Sequence, residues 1–164
     1  PYRGVLFVGL MIDPEEGPRV VEYNCRFGDP ECQALMLRLQ EDPLPQFLAC
    51  AAGGLGGCRR LERVADPSVV VVMAAQGYPD APGRGGAIRN LAAAEAVPGV
   101  SIFHAGTALE GLDLVAAGGR VLNVAATAAT LAEAVARAYE AVDKIDWPEG
   151  FCRRDIAWRA LTRG

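Results

Sequence analysis

Apolar runs along the chain are separated by glycine-, proline- and charge-rich breaks, and the breaks delimit the elements. Val5–Ile12 is a nearly unbroken apolar run with Gly9 inside it, which predicts a strand buried on both faces. Asp13-Pro-Glu-Glu-Gly-Pro18 predicts a turn, and Arg19–Cys25 a returning strand, so the two read as an antiparallel hairpin. Glu31–Leu39 carries Leu35, Met36 and Leu39 at helical spacing. Asp42-Pro43 opens a second helix with Leu44, Phe47, Leu48 and Ala51 as its buried face and Gly53-Gly54 as its stop. Val69–Ala75 predicts another buried strand, and Val100–Phe103 leads into His104-Ala-Gly-Thr107. Between them, Ile88 and Leu91 are too few to define an element. Leu112–Val115 and Arg120–Val124 predict two short strands around a Gly118-Gly119 turn. Thr130-Leu-Ala-Glu133 is a capping box. The helix behind it sets Leu131, Ala134, Val135, Ala138, Tyr139, Val142 and Ile145 on one stripe, with Glu133, Arg137, Glu140 and Lys144 opposite, and Trp147-Pro148 ends it. Phe151–Arg159 reads as a charged edge, Arg153, Arg154 and Asp155, with Ile156 and Trp158 as anchors.

The predicted class is α+β. A hairpin with helices is followed by a small mixed domain of antiparallel strands and one long amphipathic helix. The glycine-rich, then charged stretch Gly53–Asp66 marks a boundary, and the expected division is residues 1–58 and 59–164. At 51% hydrophobic and 22% charged residues the composition is that of a globular chain, with no run long enough to span a membrane. A net charge of −4 gives no reason to expect a nucleic-acid partner. Cys25, Cys32, Cys50, Cys58 and Cys152 form no Cys-x-x-Cys pair. An odd, scattered set reads as reduced thiols in a cytoplasmic protein. The chain opens on Pro1, in what reads as the lead-in to a strand, which suggests a piece of a longer protein.

Candidate chemistry concentrates in Val20–Gln33. On an extended segment Glu22, Asn24 and, if the strand persists, Arg26 point one way, while Val21, Tyr23 and Cys25 point toward a core. Residues two apart on a strand are ~6.6 Å apart, close enough for a carboxylate and an amide oxygen to converge on one cation. Both are hard donors, which suits Mg²⁺ held jointly with phosphate oxygens. Arg26 could grip a phosphoryl or carboxylate group bidentately. A solvated strand face is the plain alternative. Gly28 permits an unusual turn, Asp29 suits an N-cap and Pro30 the first helical position, so a helix start that favours anions would lie beside the two oxygen donors. Elsewhere the signals are weaker. Gly53-Gly-Leu-Gly-Gly57 lacks a preceding strand and a following Lys-Ser/Thr, so it is no phosphate loop. Arg84 sits in a loop, and the single histidine, His104, excludes a multi-histidine metal site.

The stretch Glu22-Tyr-Asn-Cys-Arg-Phe-Gly-Asp-Pro-Glu-Cys-Gln33 resembles the signature of the glycinamide ribonucleotide synthetase (phosphoribosylamine–glycine ligase) family, ATP-grasp enzymes of purine biosynthesis. Gly4–Ile12, Val72–Pro79, Phe103–Thr107, Gly118–Leu122 and Cys152–Ala160 resemble the same family in the same order. The likeness is to the carboxyl-terminal part of the family, and it implies that an amino-terminal part is the missing partner. It further implies an ATP-dependent ligase joining glycine to phosphoribosylamine through glycyl phosphate. Glu22 and Asn24 would then be ligands to magnesium or manganese, and Arg26 would be catalytic, steadying the transferring phosphoryl group. Asp29 would bind the glycine ammonium group. ATP-grasp enzymes often carry a further metal carboxylate on the preceding strand. Val5–Ile12 holds no acid, and the nearest is Asp13 in the turn. A chain lacking the adenine and sugar-phosphate contacts is expected to be inactive alone. Two other readings stand beside this one: a non-catalytic folded half that docks on an amino-terminal partner, and another ATP-grasp carboxylate–amine ligase of nucleotide metabolism.

Overall fold

In the computed structural model, which describes residues 1–162, the chain divides into two compact units. Pro1–Cys32 with Leu39–Val64 make the first, and residues 33–38 with the chain from Ala65 onward make the second.

The first unit is built on an antiparallel hairpin of β1 (Phe7–Asp13) and β2 (Gly17–Asn24). Asp13 Oδ1 accepts hydrogen bonds from the amides of Glu15 and Glu16 at 2.8 and 2.9 Å, and Gly17 takes a positive φ, so the predicted turn has a local cause. The expectation that β1 is buried on both faces is not met. Met11, Ile12, Val21 and Tyr23 are each more than 60% exposed, and Cys25 is also exposed. Neither strand has a second neighbour or a covering layer among the described residues, so alternation has no core to face. α1 (Glu31–Met36) is shorter than the predicted helix. Its first residue is Glu31 rather than Pro30. α2 (Leu44–Ala52) starts where Asp42 Oδ1 accepts the Leu44 amide at 2.9 Å. It stops at Gly53, whose left-handed backbone donates to the last carbonyls. Its predicted buried face is not buried either: Leu44, Phe47 and Leu48 are exposed, though Phe47 meets Phe27 at 6.0 Å between ring centres. A short 3-10 turn, Leu55–Gly57, follows.

All the buried hydrophobic residues among those described lie in the second unit. Its elements are β3 (Ser68–Ala75), α3 (Leu91–Glu95), β4 (Val100–His104), β5 (Thr107–Glu110), β6 (Asp113–Ala116), β7 (Arg120–Thr127), α4 (Leu131–Lys144), β8 (Gly150–Phe151) and α5 (Trp158–Leu161). Four strands form an antiparallel sheet in the order β4-β7-β3-β8. Both alternating sets of β7 are buried, from Val121 through Ala126, which places it in the middle of the sheet. Val71 pairs with Val124, and both are fully buried. α4 lies on this sheet through Ala134, Ala138 and Ala141, each fully buried; methyl side chains let helix and sheet approach closely. At its start Thr130 Oγ1 accepts the Glu133 amide at 3.2 Å. The Glu133 carboxylate turns to Arg137 instead of completing the box, and Arg137 also donates to the Thr127 carbonyl at 3.2 Å.

Two expectations are corrected here. The strand at Leu112–Val115 does not pair with the one after Gly118-Gly119. β6 pairs with β5 across a two-residue turn, Gly111-Leu112, in which Gly111 takes a positive φ. β7 is taken by β3 and β4 on its two edges. The stretch judged too sparse for an element contains α3, which meets the core through Leu91 and the fully buried Ala94. At the carboxyl end, Tyr139 Oη donates to the Arg153 carbonyl at 2.9 Å and accepts the Ile156 amide at 3.1 Å. Ile156 packs on the core, but Trp158 is about half exposed and stacks under Arg159 rather than anchoring the segment. Arg153 grips Asp155 bidentately and holds its carboxyl below the usual range, while burial pushes the Cys152 thiol up. Among the described residues no helix is long and apolar enough to cross a membrane.

Gly99 holds a φ of +74°, and a Cβ there would lie 2.4 Å from the Thr127 carbonyl oxygen. Gly99→Ala is expected to lower unfolding free energy by more than ~2 kcal/mol in urea titrations. Gly83→Ala, whose nearest neighbour would be 3.8 Å away, should stay within ~0.5 kcal/mol.

Candidate functional site

The register of the hairpin decides which side chains stand together. Asn24 pairs with Phe7, Tyr23 with Val8 and Glu22 with Gly9, without irregularity, so Glu22 and Asn24 occupy the same side of the ribbon. The next pair is Leu10 with Val20, which leaves Val21 as the extra residue of a β-bulge directly before Glu22. Gly9 leaves the Glu22 side chain room: a Cβ at Gly9 would lie 3.0 Å from Glu22 Cγ. Glu22 is exposed and Asn24 half-buried. Among the described residues neither side chain is held by a hydrogen bond or ion pair, so both oxygens are available to an incoming group.

That donor set fits a hard divalent cation: one carboxylate and one amide oxygen, spaced for a shared ion. It is not a complete cage. Asp13 sits at the far end of β1, four residues from Gly9, or roughly 13 Å along the strand, and is occupied with its own turn. No group of three or more His, Cys, Asp or Glu that could hold a metal occurs among the described residues. The remaining coordination would therefore fall to oxygens from substrate and water, as is usual for Mg²⁺.

β2 ends at Asn24, and Arg26 lies beyond it in a bend, so the alternation argument stops short of the arginine. Arg26 is exposed and donates to the Phe27 carbonyl at 2.8 Å through Nη1. Tyr2 Oη lies 2.9 Å from the Val5 carbonyl and 3.1 Å from that of Cys25, tying the entry of the hairpin to its exit. Gly28 is buried, and a Cβ there would collide with the Glu31 carboxylate and the Phe7 ring. A side chain there would have to displace both, so close approach shapes the Phe27-Gly28-Asp29 corner. Asp29 follows on the surface, in the turn that leads into α1. α1 is six residues long, too short to develop much of a helix dipole, which weakens the expected anion-favouring start. Sequence reasoning missed Gly9, the bulge at Val21 and the Tyr2 tie. Only the glycine inside an apolar strand gave a signal for any of them.

Comparison with known proteins gives the following. Residues 68–159 match the family described as "Phosphoribosylglycinamide synthetase, C domain", and residues 1–32 match its "ATP-grasp (A) domain". The chain is 55% identical over 163 residues to the phosphoribosylamine–glycine ligase of Brucella melitensis, covering 99% of this chain and 38% of that protein. It is 53% identical over 165 residues to the chloroplastic phosphoribosylamine–glycine ligase of Arabidopsis thaliana, covering 31% of it. The crystal structure of the Thermotoga maritima phosphoribosylamine–glycine ligase superposes with a TM-score of 0.72 at 37% identity, over 92% of this chain and 36% of that one. N5-carboxyaminoimidazole ribonucleotide synthetase from the same organism shares the fold, with a TM-score of 0.60 at 14% identity. The chain thus spans between about a third and two fifths of the length of these relatives.

Because neither Glu22 nor Asn24 carries a partner, Glu22→Ala and Asn24→Ala are each expected to leave unfolding free energy within ~0.5 kcal/mol of the parent chain. A larger loss in denaturant titration would show that these side chains serve the hairpin itself.

Proposed function

The chain belongs to the phosphoribosylglycinamide synthetase family, and on that premise we propose that it is the carboxyl-terminal part of a phosphoribosylamine–glycine ligase of purine biosynthesis. The observation that carries this reading is the ordered match of the ATP-grasp domain over residues 1–32 and the C domain over residues 68–159. We assign residues 1–58 to the end of the catalytic domain and 59–164 to the C-terminal domain; the two matches lie on either side of that join.

In this reading the ligase joins glycine to phosphoribosylamine at the expense of ATP. The glycine carboxylate attacks the γ-phosphoryl group of ATP and ADP leaves; the amine of phosphoribosylamine then displaces phosphate from glycyl phosphate, giving up a proton. Such chemistry asks the protein mainly for positioning and charge neutralisation. Glu22 and Asn24 hold the divalent ion, magnesium or manganese; the unpartnered oxygen pair on one side of β2 supports this. The ion supplies charge neutralisation at the ATP phosphates. Arg26 leaves the Phe27 carbonyl to meet the transferring phosphoryl group, a role worth ~10³-fold or more in rate. Asp29 receives the glycine ammonium group.

The uncovered apolar surface of the β1–β2 hairpin supports a second element of the proposal. The rest of the same enzyme covers it and completes the site, so this chain alone performs no ligation. A cytoplasmic setting suits its five free thiols.

In the full-length enzyme, Glu22→Ala should abolish ATP-dependent product formation with an unchanged circular dichroism spectrum, and chelation by EDTA should do the same reversibly. Wild-type turnover in that variant would remove the metal assignment. Asp29→Asn should raise the KM for glycine by at least about tenfold while leaving that for ATP in place. An unaltered glycine KM would assign the ammonium to another group. Product from the isolated chain would overturn the claim that the site is completed elsewhere.

A further inference from the structure

Gly9 stands directly across the hairpin from Glu22, on the same side of the ribbon as Phe7 and Asn24. It is the one residue without a side chain in β1. A glycine inside a strand weakens it and marks a place where something approaches the backbone closely. Here that something is the Glu22 side chain. In an antiparallel pair the two Cβ atoms ordinarily stand about 4.5–5.5 Å apart and the side chains rise beside each other. A Cβ on Gly9 would lie 3.0 Å from Glu22 Cγ, nearer than to the Glu22 amide nitrogen at 3.7 Å or the carbonyl oxygen at 3.8 Å. The Glu22 side chain therefore leans over β1, into the space that glycine leaves. The bulge acts at the same place. Val21, its extra residue, sits immediately before Glu22, and such an irregularity re-aims a neighbouring side chain. Among the described residues no hydrogen bond or ion pair holds the Glu22 carboxylate, so steric shape rather than a polar partner sets its direction.

We propose that Gly9 is a positioning residue: by carrying no side chain it holds Glu22 in the conformation from which its carboxylate serves the divalent ion. The inference rests on the metal reading given above and deepens it. Gly9 itself touches neither ion nor substrate. A Cβ at this position would force Glu22 Cγ aside or turn the side chain to another staggered rotamer, and the carboxylate, two bonds further out, would swing with it. The strand itself would tolerate that change, because Glu22 is exposed and can move into solvent. The ion would not, since Mg²⁺ demands near-ideal octahedral geometry at about 2.0–2.1 Å. A substitution at Gly9 thus separates the two properties: the hairpin keeps its stability and the ion loses a well-aimed ligand.

Mn²⁺ is the probe, titrated with ATP but no glycine into the full-length enzyme, so that nothing turns over, and binding is read by water-proton relaxation. Glu22→Ala removes a ligand and should weaken binding by at least about tenfold. Gly9→Ala should weaken it several-fold and Gly9→Val by about tenfold or more. Neither Gly9 variant should lower the melting temperature, since alanine and valine both suit a strand better than glycine. A glycine that served only the strand would change stability and leave ion binding alone. In the Glu22→Ala background, Gly9→Val should change Mn²⁺ binding by no more than about twofold, because Gly9 acts through Glu22. This inference alone is overturned if Glu22→Ala loses the ion while both Gly9 variants keep it. It is overturned equally if Gly9→Val weakens binding as much without Glu22 as with it, or if weaker binding comes with a lower melting temperature. Unchanged binding in Glu22→Ala overturns the metal reading itself, and the role of Gly9 with it.

Discussion

Pairing Glu22 against Gly9 and Asn24 against Phe7 fixes which atoms can act together on this chain. A strand has a side-chain period of two, so a slip of one residue would turn both oxygens to the other side of the ribbon. The register is held by local devices at both ends. Asp13 gathers two amides at the turn, and Tyr2 ties the entry to the exit. The bulge at Val21 absorbs the extra residue before Glu22 rather than between Glu22 and Asn24, so the pair stays in phase. The proposed metal pair follows from that phase.

The two units differ in how they are stabilised. In the second, valines and alanines of β3, β7 and α4 fill a continuous core, and Leu122, Val71 and Val124 are fully buried. The first has no buried apolar side chain among the described residues; its glycines, prolines and short hydrogen-bonded links hold local shape without a core. Residues that would be core in a free-standing domain, Ile12, Val21 and Tyr23, are left on the surface. An open apolar ribbon of this kind is stable only when something lies against it. The unit that holds the proposed site is thus the one least able to stand by itself.

Much of this could be read in the residues, and the misses share a cause. Local rules held where the deciding partner is close in sequence: Asp42 and Gly53 at the ends of α2, Thr130 before α4, the Asp13 turn. The common side of Glu22 and Asn24 also needed only the strand period. Inference failed where the answer depends on a distant partner. Whether Val5–Ile12 is covered depends on what lies against it, and the bulge exists only relative to β1. Two glycine turns, Gly111-Leu112 and Gly118-Gly119, competed for one hairpin. The second lost because β7, buried on both faces, needed neighbours on both edges. α3 was missed because it is five residues long and meets the core through Leu91 and Ala94, too few positions for a periodic signal. Arg26 would share the side of Glu22 and Asn24 only if the strand persisted, and the strand ends two residues earlier.

One oxygen near the carboxyl end has a larger role than its size suggests. Tyr139 Oη gives its proton to the Arg153 carbonyl and receives the Ile156 amide, and the same ring lies under the Arg154 guanidinium. Residues 153–156 are therefore fastened to α4 by this phenol and by the ion pair of Arg154 with Asp143. A phenylalanine in its place would keep the ring and release both hydrogen bonds together, leaving the Arg154–Asp143 ion pair as the remaining polar link to α4.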